Sequence, residues 1–450
     1  KRSPLGLAAD PGGIPLYKGG EPVGAIGVIS DGLYSIDPNI GNYDNDKDEL
    51  IAMAGTVGFE PPFDIKGNRI TVEGKNFRYT DRKIRSIRSN PLNALPYDQV
   101  PSSVGGLTPI GTYFDGTIRP GTIFGTGASG YRANTTVDYG TLNAFVLVDS
   151  NDQPRFPPRD GTEGTAESLT ANEVKTIIRN ALAIAFRARG QIRRPLGSHA
   201  QVTVSIVDTN GAILGIARTP DGPVFGTDVS LQKARTAAFF SNTNAAADLI
   251  QGNLGNYWLA AQAVLGPGAL SDGTAFADRS GGNLSRPFFP DGIDGAPHGP
   301  FSKPFAEWSP FNTGLQLDLI AGNIVAHRSF LLGQSPTDTP MNCSPIPIRP
   351  QTSKSPVANG IQIFPGSVPI YRNTTLIGGI GVSGDGIDQD DMISFLGLHN
   401  ASLELGTGVG NAPRFLRADN LEVPGGRLRY VNCPFLPFLD SNEQTPCNGK

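Results

Sequence analysis

The chain has 450 residues, more than a single hydrophobic core usually organises, so two or three folded units are expected. Charged residues make up 17% of the chain and the formal net charge is −4, which provides no electrostatic basis for binding nucleic acid or an anionic membrane. No stretch of about 18 apolar residues appears, so no membrane span is expected.

Glycine and proline, at 57 and 38 residues, favour short elements and ordered loops over long helices. The three cysteines, Cys343, Cys433 and Cys447, lie in loop-like sequence without Cys-x-x-Cys spacing, which argues against zinc and covalently attached haem. A Cys433–Cys447 disulfide would suit an oxidising compartment, and three buried free thiols are an equal alternative. With few lysines and much Gly, Asn and Thr, the composition favours a periplasmic or extracellular location.

The chain opens with a glycine-rich stretch that recurs near its other end. Gly12–Val28 overlays Gly366–Val382 without a gap, at an offset of 354 residues. Asp46–Ile51 overlays Asp388–Ile393 after an insertion, and Gly55 then falls on Gly397. This self-similarity indicates an internal repeat.

A different type of sequence follows at residues 61–160. Residues 69–79 alternate around Glu73-Gly74 and predict a β-hairpin. The rest has no long periodic segment. We therefore expect residues 61–160 to be a β-hairpin and loop linker region.

The longest consistent pattern begins at residue 170. Thr170 and Glu173 form a capping-box sequence, and apolar residues then recur every three or four positions, so a helix is predicted over 170–189. Two β-branched runs between 201 and 217 flank the turn Asp208–Gly211 and predict a hairpin. Ser230 is placed to cap a second helix over residues 231–240.

These residues resemble the GlcG/HbpS-type haem-binding family over about a third of the chain. The resemblance rests on "LTANEVKTIIRNALAIAF", "VTVSIVDTNGAILGIAR", "PDG" and "SLQKARTAAFF", then on the glycine-rich hairpin of residues 366–384 and the helix from Asp388. It implies an α+β fold in which an antiparallel sheet of about five strands, from residues 200–218 and 361–383, packs against helices.

The resemblance also implies a domain plan, in which the fold is duplicated. Residues 161–244 and 359–402 would form a complete domain, and residues 1–60 the C-terminal half of a first copy. We expect the missing half of that copy to lie upstream of Lys1 or on another chain, and the two copies to pack as a pseudo-twofold pair.

An insertion, residues 245–358, separates the two parts of the complete domain. It holds both tryptophans, Trp258 and Trp308, within Phe/Pro/Gly-rich sequence. Such aromatic residues are either anchors for a partner or a cover over the insertion's own core. Residues 403–450 form a tail expected to lie over the body.

The loop before the second helix is the candidate ligand site. Its residues could bind a propionate or a small carboxylate through positive charge and free N–H groups at a helix start. The candidates are Arg218, Asp221, Thr227, Ser230, Lys233 and Arg235. The alternative is that Arg218 and Asp228 only hold the loop in place.

The resemblance makes non-covalent haem the expected cofactor, and haem commonly needs an axial ligand. His399, after the final helix, and His327, in the insertion, are the candidates; Val57 stands at the position of His399 in the first copy. The acidic residues Asp388, Asp390 and Asp391 are expected to stabilise a helix N-terminus.

Three functions follow from these patterns. The resemblance implies a non-catalytic protein that binds haem or a small ligand. The aromatic insertion and the half-domain favour instead a structural or interaction subunit of an extracellular or periplasmic assembly. An enzyme acting on a small acid or tetrapyrrole is the third. A homo-oligomer or a larger protein assembly is expected in each case, without nucleic acid.

Overall fold

The computed structural model describes residues 10–30, 41–72, 74–110, 114–193, 195–292, 294–310, 314–339 and 342–450. The chain divides into two compact units, residues 2–122 and residues 123–450. Each is described by itself below. Among the described residues, no helix is long and apolar enough to cross a membrane.

The elements are numbered in chain order. The helices are α1 Lys47–Gly55, α2 Thr136–Tyr139, α3 Ala171–Arg187, α4 Gly226–Phe240, α5 Ala245–Gln251, α6 Gly255–Leu265, α7 Asp278–Leu284, α8 Gly314–Leu331 and α9 Ile387–Leu405. The strands are β1 Gly13–Lys18, β2 Glu21–Gly27, β3 Thr71–Val72, β4 Lys75–Asn76, β5 Tyr131–Ala133, β6 Phe145–Leu147, β7 Thr203–Val207, β8 Ile213–Arg218, β9 Ser367–Arg372, β10 Thr375–Ser383, β11 Val409–Asn411, β12 Glu422–Val423 and β13 Gly426–Arg427.

An antiparallel sheet organises the unit of residues 123–450. Its strand order is β11-β9-β10-β7-β8-β6-β5, so the α+β fold is confirmed and the two predicted hairpins lie in one sheet. The sheet has seven strands where about five were predicted. Two of the extra strands, β5 and β6, come from residues expected to be linker, and β11 comes from the tail. They are short and cover the outer edges of β8 and β9, where the sheet would otherwise expose unpaired N–H and C=O groups.

Helix α3 follows its sequence pattern closely. Thr170 is its N-cap, and the reciprocal bonds with Glu173 complete the capping box. Its apolar stripe is buried against the sheet and α9. At Gly397 of α9 the two helices approach so closely that an added methyl group would lie 2.6 Å from Ala181 Cα.

Most residues of a second hydrophobic core come from the insertion, from α5–α8 and the loops between them, and Phe239 and Phe240 of α4 complete it together with residues of the tail. Trp308 is fully buried and its indole N–H donates to Ser285 O at 2.9 Å. Trp258 is half-buried and donates to Ala269 O. Both tryptophans therefore pack within the chain. This matches the alternative in which they cover a core of the insertion.

The unit of residues 2–122 contains the β1–β2 hairpin and α1. Asp46 caps α1 by accepting a hydrogen bond from Glu49 N at 2.7 Å. The hairpin pairs Gly13 with Gly27 and skips Val23 in a bulge. In the other unit, β9–β10 pairs Ser367 with Gly381 and skips Ile377, which is the same register at the same offset of 354.

The segment after each of these hairpin–helix pairs also has a matching element order. Short 3₁₀ turns at Phe63–Ile65 and Gly67–Arg69 precede β3–β4, just as turns at Arg414–Leu416 and Ala418–Asn420 precede β12–β13. Glu49 of α1 accepts from the backbone N–H groups of Asp81 and Arg82. Its counterpart Asp391 accepts from Asn432 N at 2.9 Å. The tail of residues 412–433 therefore has the same local structure as residues 61–82, a correspondence that the sequence analysis missed.

Candidate functional site

The helix that follows the expected ligand loop starts earlier than predicted. Helix α4 begins at Gly226 and its N-cap residue, Phe225, makes no side-chain cap bond. Ser230 therefore does not cap the helix; it lies inside it, with its hydroxyl 2.7 Å from the Ser205 hydroxyl. Residues 223–225 already turn helically, as Gly226 N donates to Pro223 O at 3.0 Å. The N–H groups near Ser230 are consequently used within the helix.

The candidate side chains before α4 and in its first turn lie in separate surroundings. The guanidinium of Arg218 lies over the Tyr131 ring at 4.6 Å and is 2% exposed. Asp221 is largely exposed, with its carboxylate 3.6 Å from Arg193. The Thr227 hydroxyl is buried and has no hydrogen-bond partner among the described residues.

The two cations of α4 are also held apart. Lys233 is buried and donates from Nζ to Val382 O and to Asp390 Oδ2, both at 2.9 Å. Arg235 donates to Gly211 O and to Asn359 Oδ1. Burial lowers the pKa of Arg235 to about 10. The structure thus does not bring the six candidate residues into one pocket.

A buried charged cluster, defined as Lys233, Asp278, Arg279, Asp390 and Asp391, lies where α4 and α7 meet α9. Arg279 Nε contacts Asp391 Oδ2 at 2.5 Å, and neither carboxylate oxygen of Asp278 has a hydrogen-bond partner among the described residues. Burial raises the pKa of Asp278 well above its usual range. Burial also raises the pKa of Asp390, to about 6, although the Lys233 charge opposes this. The raised pKa values of Asp278 and Asp390 favour a proton within this buried cluster.

The α9 carboxylates Asp388 and Asp390 lie in the first turn as expected, and Asp390 accepts a hydrogen bond from Asp385 N, but ion pairs add a second role. Asp390 and Asp391 are buried in ion pairs with α4 and α7, whereas Asp388 is half-buried and pairs with Arg279 at 2.6 Å. The N-cap position is Gly386, which has no side chain to cap with. The partner Arg279 lies in the insertion, more than a hundred positions away, so local helix-capping rules could not identify it.

An open cavity lies beside the middle of α9. Its volume is about 420 Å³, within the usual range for small-molecule sites. Phe395 of α9 lines one side and the tail lines the rest, including Arg414, Arg417 and Lys450. Arg417 stacks between aromatic rings, 5.2 Å from those of Phe395 and Tyr430. The Cys433–Cys447 disulfide also lines this cavity, whereas Cys343 is free and exposed.

His399 lies one helical turn after Phe395, on the same side of α9. Burial lowers the pKa of its half-buried imidazole, and the nearby Lys450 charge lowers it further. Both effects favour the neutral ring, which is the form that ligates a metal. The cavity itself is lined by three cations, Arg414, Arg417 and Lys450, by Asp419 and by Phe395; His399 lies near Lys450 but is not among the lining residues. The cations suit the acidic side groups of a porphyrin.

His327 has different surroundings. It lies on α8 with its Nδ1 at 2.8 Å from Asp338 Oδ1, and both side chains are about two-fifths exposed. Like His399 it does not line the cavity beside α9, but unlike His399 it is not on the helix that carries the lining residue Phe395. Among the described residues, no group of three or more His, Cys, Asp or Glu side chains is placed to hold a metal ion.

The unit of residues 2–122 has a cavity at the matching place. Its volume is about 630 Å³ and it is lined from α1 by Met53 and from the following segment by Lys66 and Tyr79. Lys66 lies over the Tyr79 ring at 5.0 Å, as Arg417 does over Tyr430. Val57 stands where the other unit has His399, so this second cavity lacks the imidazole.

Comparison with known proteins identifies one segment of the chain. Residues 327–398 match the family model described as haem degrading protein HbpS-like, which confirms the resemblance to the GlcG/HbpS-type family. The match includes β9, β10 and the first part of α9. Among curated proteins, no relative was found.

Two solved structures are similar to this chain. A crystal structure of a PduOC:haem complex is 18% identical, covering 54% of this chain and 99% of its own, with a TM-score of 0.24. The Klebsiella pneumoniae protein ORFY, of the DUF336 family, is 16% identical, covering 53% of this chain and 94% of its own, with a TM-score of 0.24.

Proposed function

We propose that this chain, which carries an HbpS-like family segment at residues 327–398, is a non-catalytic protein that binds haem or a similar small ligand without a covalent bond. The observation that carries the proposal is the cavity lined by Arg414, Arg417 and Lys450, with the half-buried His399 one turn along α9 from its lining residue Phe395. Its imidazole would ligate the iron, and Arg414, Arg417 and Lys450 would bind the propionates. Bound haem would supply a redox-active iron.

A haemin titration of the full chain tests this proposal. We expect a Soret shift at micromolar haemin, and His399→Ala should weaken binding by about tenfold or more. His327→Ala is the matched control, because that histidine lies away from the cavity, and it should bind as the unchanged protein does. A flat titration, or equal binding by His399→Ala, would overturn the assignment.

The non-catalytic part is tested on the loaded protein. With a reductant and oxygen present, the Soret band should persist as it does for haem on an inert carrier protein. Steady bleaching faster than on that carrier would favour the enzymatic alternative, turnover of a tetrapyrrole. The family description, haem degrading, makes this comparison necessary.

The same proposal includes an oxidising location and an assembly. The Cys433–Cys447 disulfide supports a periplasmic or extracellular site, where such bonds persist. We expect the chain to act as a homo-oligomer or as a subunit of a larger assembly. Light scattering on the purified chain tests this, and a monomer that binds haem fully would contradict the need for a partner.

A further inference from the structure

The β1–β2 hairpin has the geometry of a complete domain's hairpin without its neighbours. Val28 N donates to Gly12 O at 3.0 Å, as Val382 N donates to Gly366 O at 2.7 Å. Each following helix begins with a carboxylate against that glycine, Asp48 in one case and Asp390 in the other. The two hairpins therefore agree in register, bulge and helix position.

The β9–β10 hairpin is covered on both edges and on one face. β10 pairs with β7, which matches Gly379 to Val207, and β9 pairs with β11. Its face lies directly under α4: a methyl group at Gly381 would lie 2.0 Å from Ser230 O, and one at Gly379 would lie 2.3 Å from Ala234 O. Glycine is required because the helix backbone touches the strand.

No such cover exists over β2 in the part of the chain that the structure describes. β2 pairs only with β1 and leaves its other edge open. A methyl group at Gly24 or Gly27 would meet no atom within 4 Å. Val23 is 57% exposed, although its counterpart Ile377 is 2% exposed. β2 thus has Gly24 and Gly27 where β10 has glycines, although no helix or strand covers that side of β2 among the described residues.

We propose that residues 10–55 are half of a duplicated domain, and that their exposed hairpin binds a helix–hairpin–helix segment of the same type as residues 169–241, carried on another polypeptide. Its strand would extend the sheet at the open edge of β2. Its helix would lie over Ala25 and Gly27. Such strand addition supplies main-chain hydrogen bonds and gives the orphan half-sheet the neighbours it needs.

Charge specifies the occupant further. In the complete domain, Lys233 of α4 pairs with Asp390 at 2.9 Å. Asp48 at the corresponding position accepts a hydrogen bond from Ser30 N. The partner helix should therefore carry a lysine or arginine that reaches Asp48.

A second copy of this chain is not the source. Its own residues 169–241 already cover β10, and donating them would expose that strand instead.

The helix-facing positions of the two hairpins differ at one site, where the first hairpin has Ala25 and the complete domain has Gly379. The bound helix must therefore lie further from the strand there than α4 does.

The test uses the full chain and a labelled polypeptide with the sequence of residues 161–244 as the probe. We expect saturable binding by fluorescence anisotropy and slower hydrogen exchange of the β2 amides. Gly27→Trp should weaken binding by about tenfold or more, since the bulky ring blocks the helix face. Asp48→Asn should weaken it by a few-fold. Leu95→Trp, an exposed position outside the hairpin, is the matched control and should change nothing.

Three outcomes would overturn the proposal. They are no binding of the probe, equal binding by Gly27→Trp, and self-association of the chain alone that Gly27→Trp abolishes. The last would mean that two β2 strands pair with each other. Haem binding at His399 lies in the other unit, so its failure would leave this test unaffected.

Discussion

At the scale of single residues, the buried pair between Lys233 and Asp390 is predicted to matter most for stability. Lys233→Met leaves Asp390 buried without its cation and should cost about 3–5 kcal/mol. Arg179→Met is the matched control: Arg179 pairs with Glu404 at the surface, both well exposed, so its loss should cost less than about 1 kcal/mol. Urea unfolding measures both, and equal costs would contradict the assignment.

Acid should destabilise the unit of residues 123–450 through Glu173. Burial raises the pKa of this carboxylate, but hydrogen bonds from Arg372, Thr170 N and Thr407 outweigh it and lower the pKa from 4.5 to about 2. A lowered folded-state pKa stabilises the fold above pH 4.5, and this contribution is lost as the pH falls towards 2. Glu173→Gln should flatten the stability curve over that range. Glu404→Gln should flatten it much less: hydrogen bonds from Arg179 and Asn180 also lower the pKa of Glu404, but solvent screens this exposed group.

Side-chain roles were the least predictable part of this sequence. Lys233 and Arg235 were expected to face a common ligand, and each instead meets a partner far along the chain, Asp390 and Asn359. From the sequence, His399 could be selected only as one of four histidines. The cavity beside it depends on the tail, which has no periodic pattern to place it.

At the scale of elements, the corresponding strands β10 and β2 provide a matched pair of glycines, Gly381 and Gly27. Gly381→Ala should destabilise the protein by about 3 kcal/mol, because the methyl group meets the backbone of α4 and neither can move freely. Gly27→Ala, at the corresponding position of β2, has open space and should change stability by less than about 0.5 kcal/mol. Scanning calorimetry compares them. Similar losses would show that helix contact does not explain the glycine.

Elements with strong local signals could be predicted well. The helix predicted over 170–189 is found at Ala171–Arg187, and the hairpin strands are found at Thr203–Val207 and Ile213–Arg218. The start of α4 was missed by four residues or more because Pro223–Phe225 enters the helix without a capping side chain. Strands β5, β6 and β11 were missed because three residues carry too little alternation to detect.

At the scale of the whole molecule, the Cys433–Cys447 disulfide holds the tail over the cavity of α9. Closing a loop of this length contributes about 3 kcal/mol. Reduction, or the double substitution Cys433→Ser with Cys447→Ser, should therefore lower thermal stability and weaken haem binding together. Cys343→Ser should do neither, because that thiol is free. Unchanged haem affinity after reduction would separate the tail from the site.

The correspondence between residues 61–82 and 412–433 was hidden by spacing. α9 has 19 residues and α1 has 9, so the two segments fall out of alignment after the helices. Few residues are identical beyond that point, Tyr79 and Tyr430 among them. The two segments keep the same backbone structure with few identical residues. The internal repeat could therefore be followed in the sequence only as far as Gly55.

The separation of β7 from β10 by the insertion sets an order of events in refolding. Val207 must find Gly379 across a long stretch of chain, and an unstructured loop costs about 0.6 kcal/mol more for each doubling of its length. The insertion supplies most of a second core, so folding it first replaces a long loop by a compact spacer with fixed ends. Late strand pairing of high contact order is slow. Weakening this core at the buried Leu249 of α5 should therefore delay closure of the sheet in stopped-flow refolding.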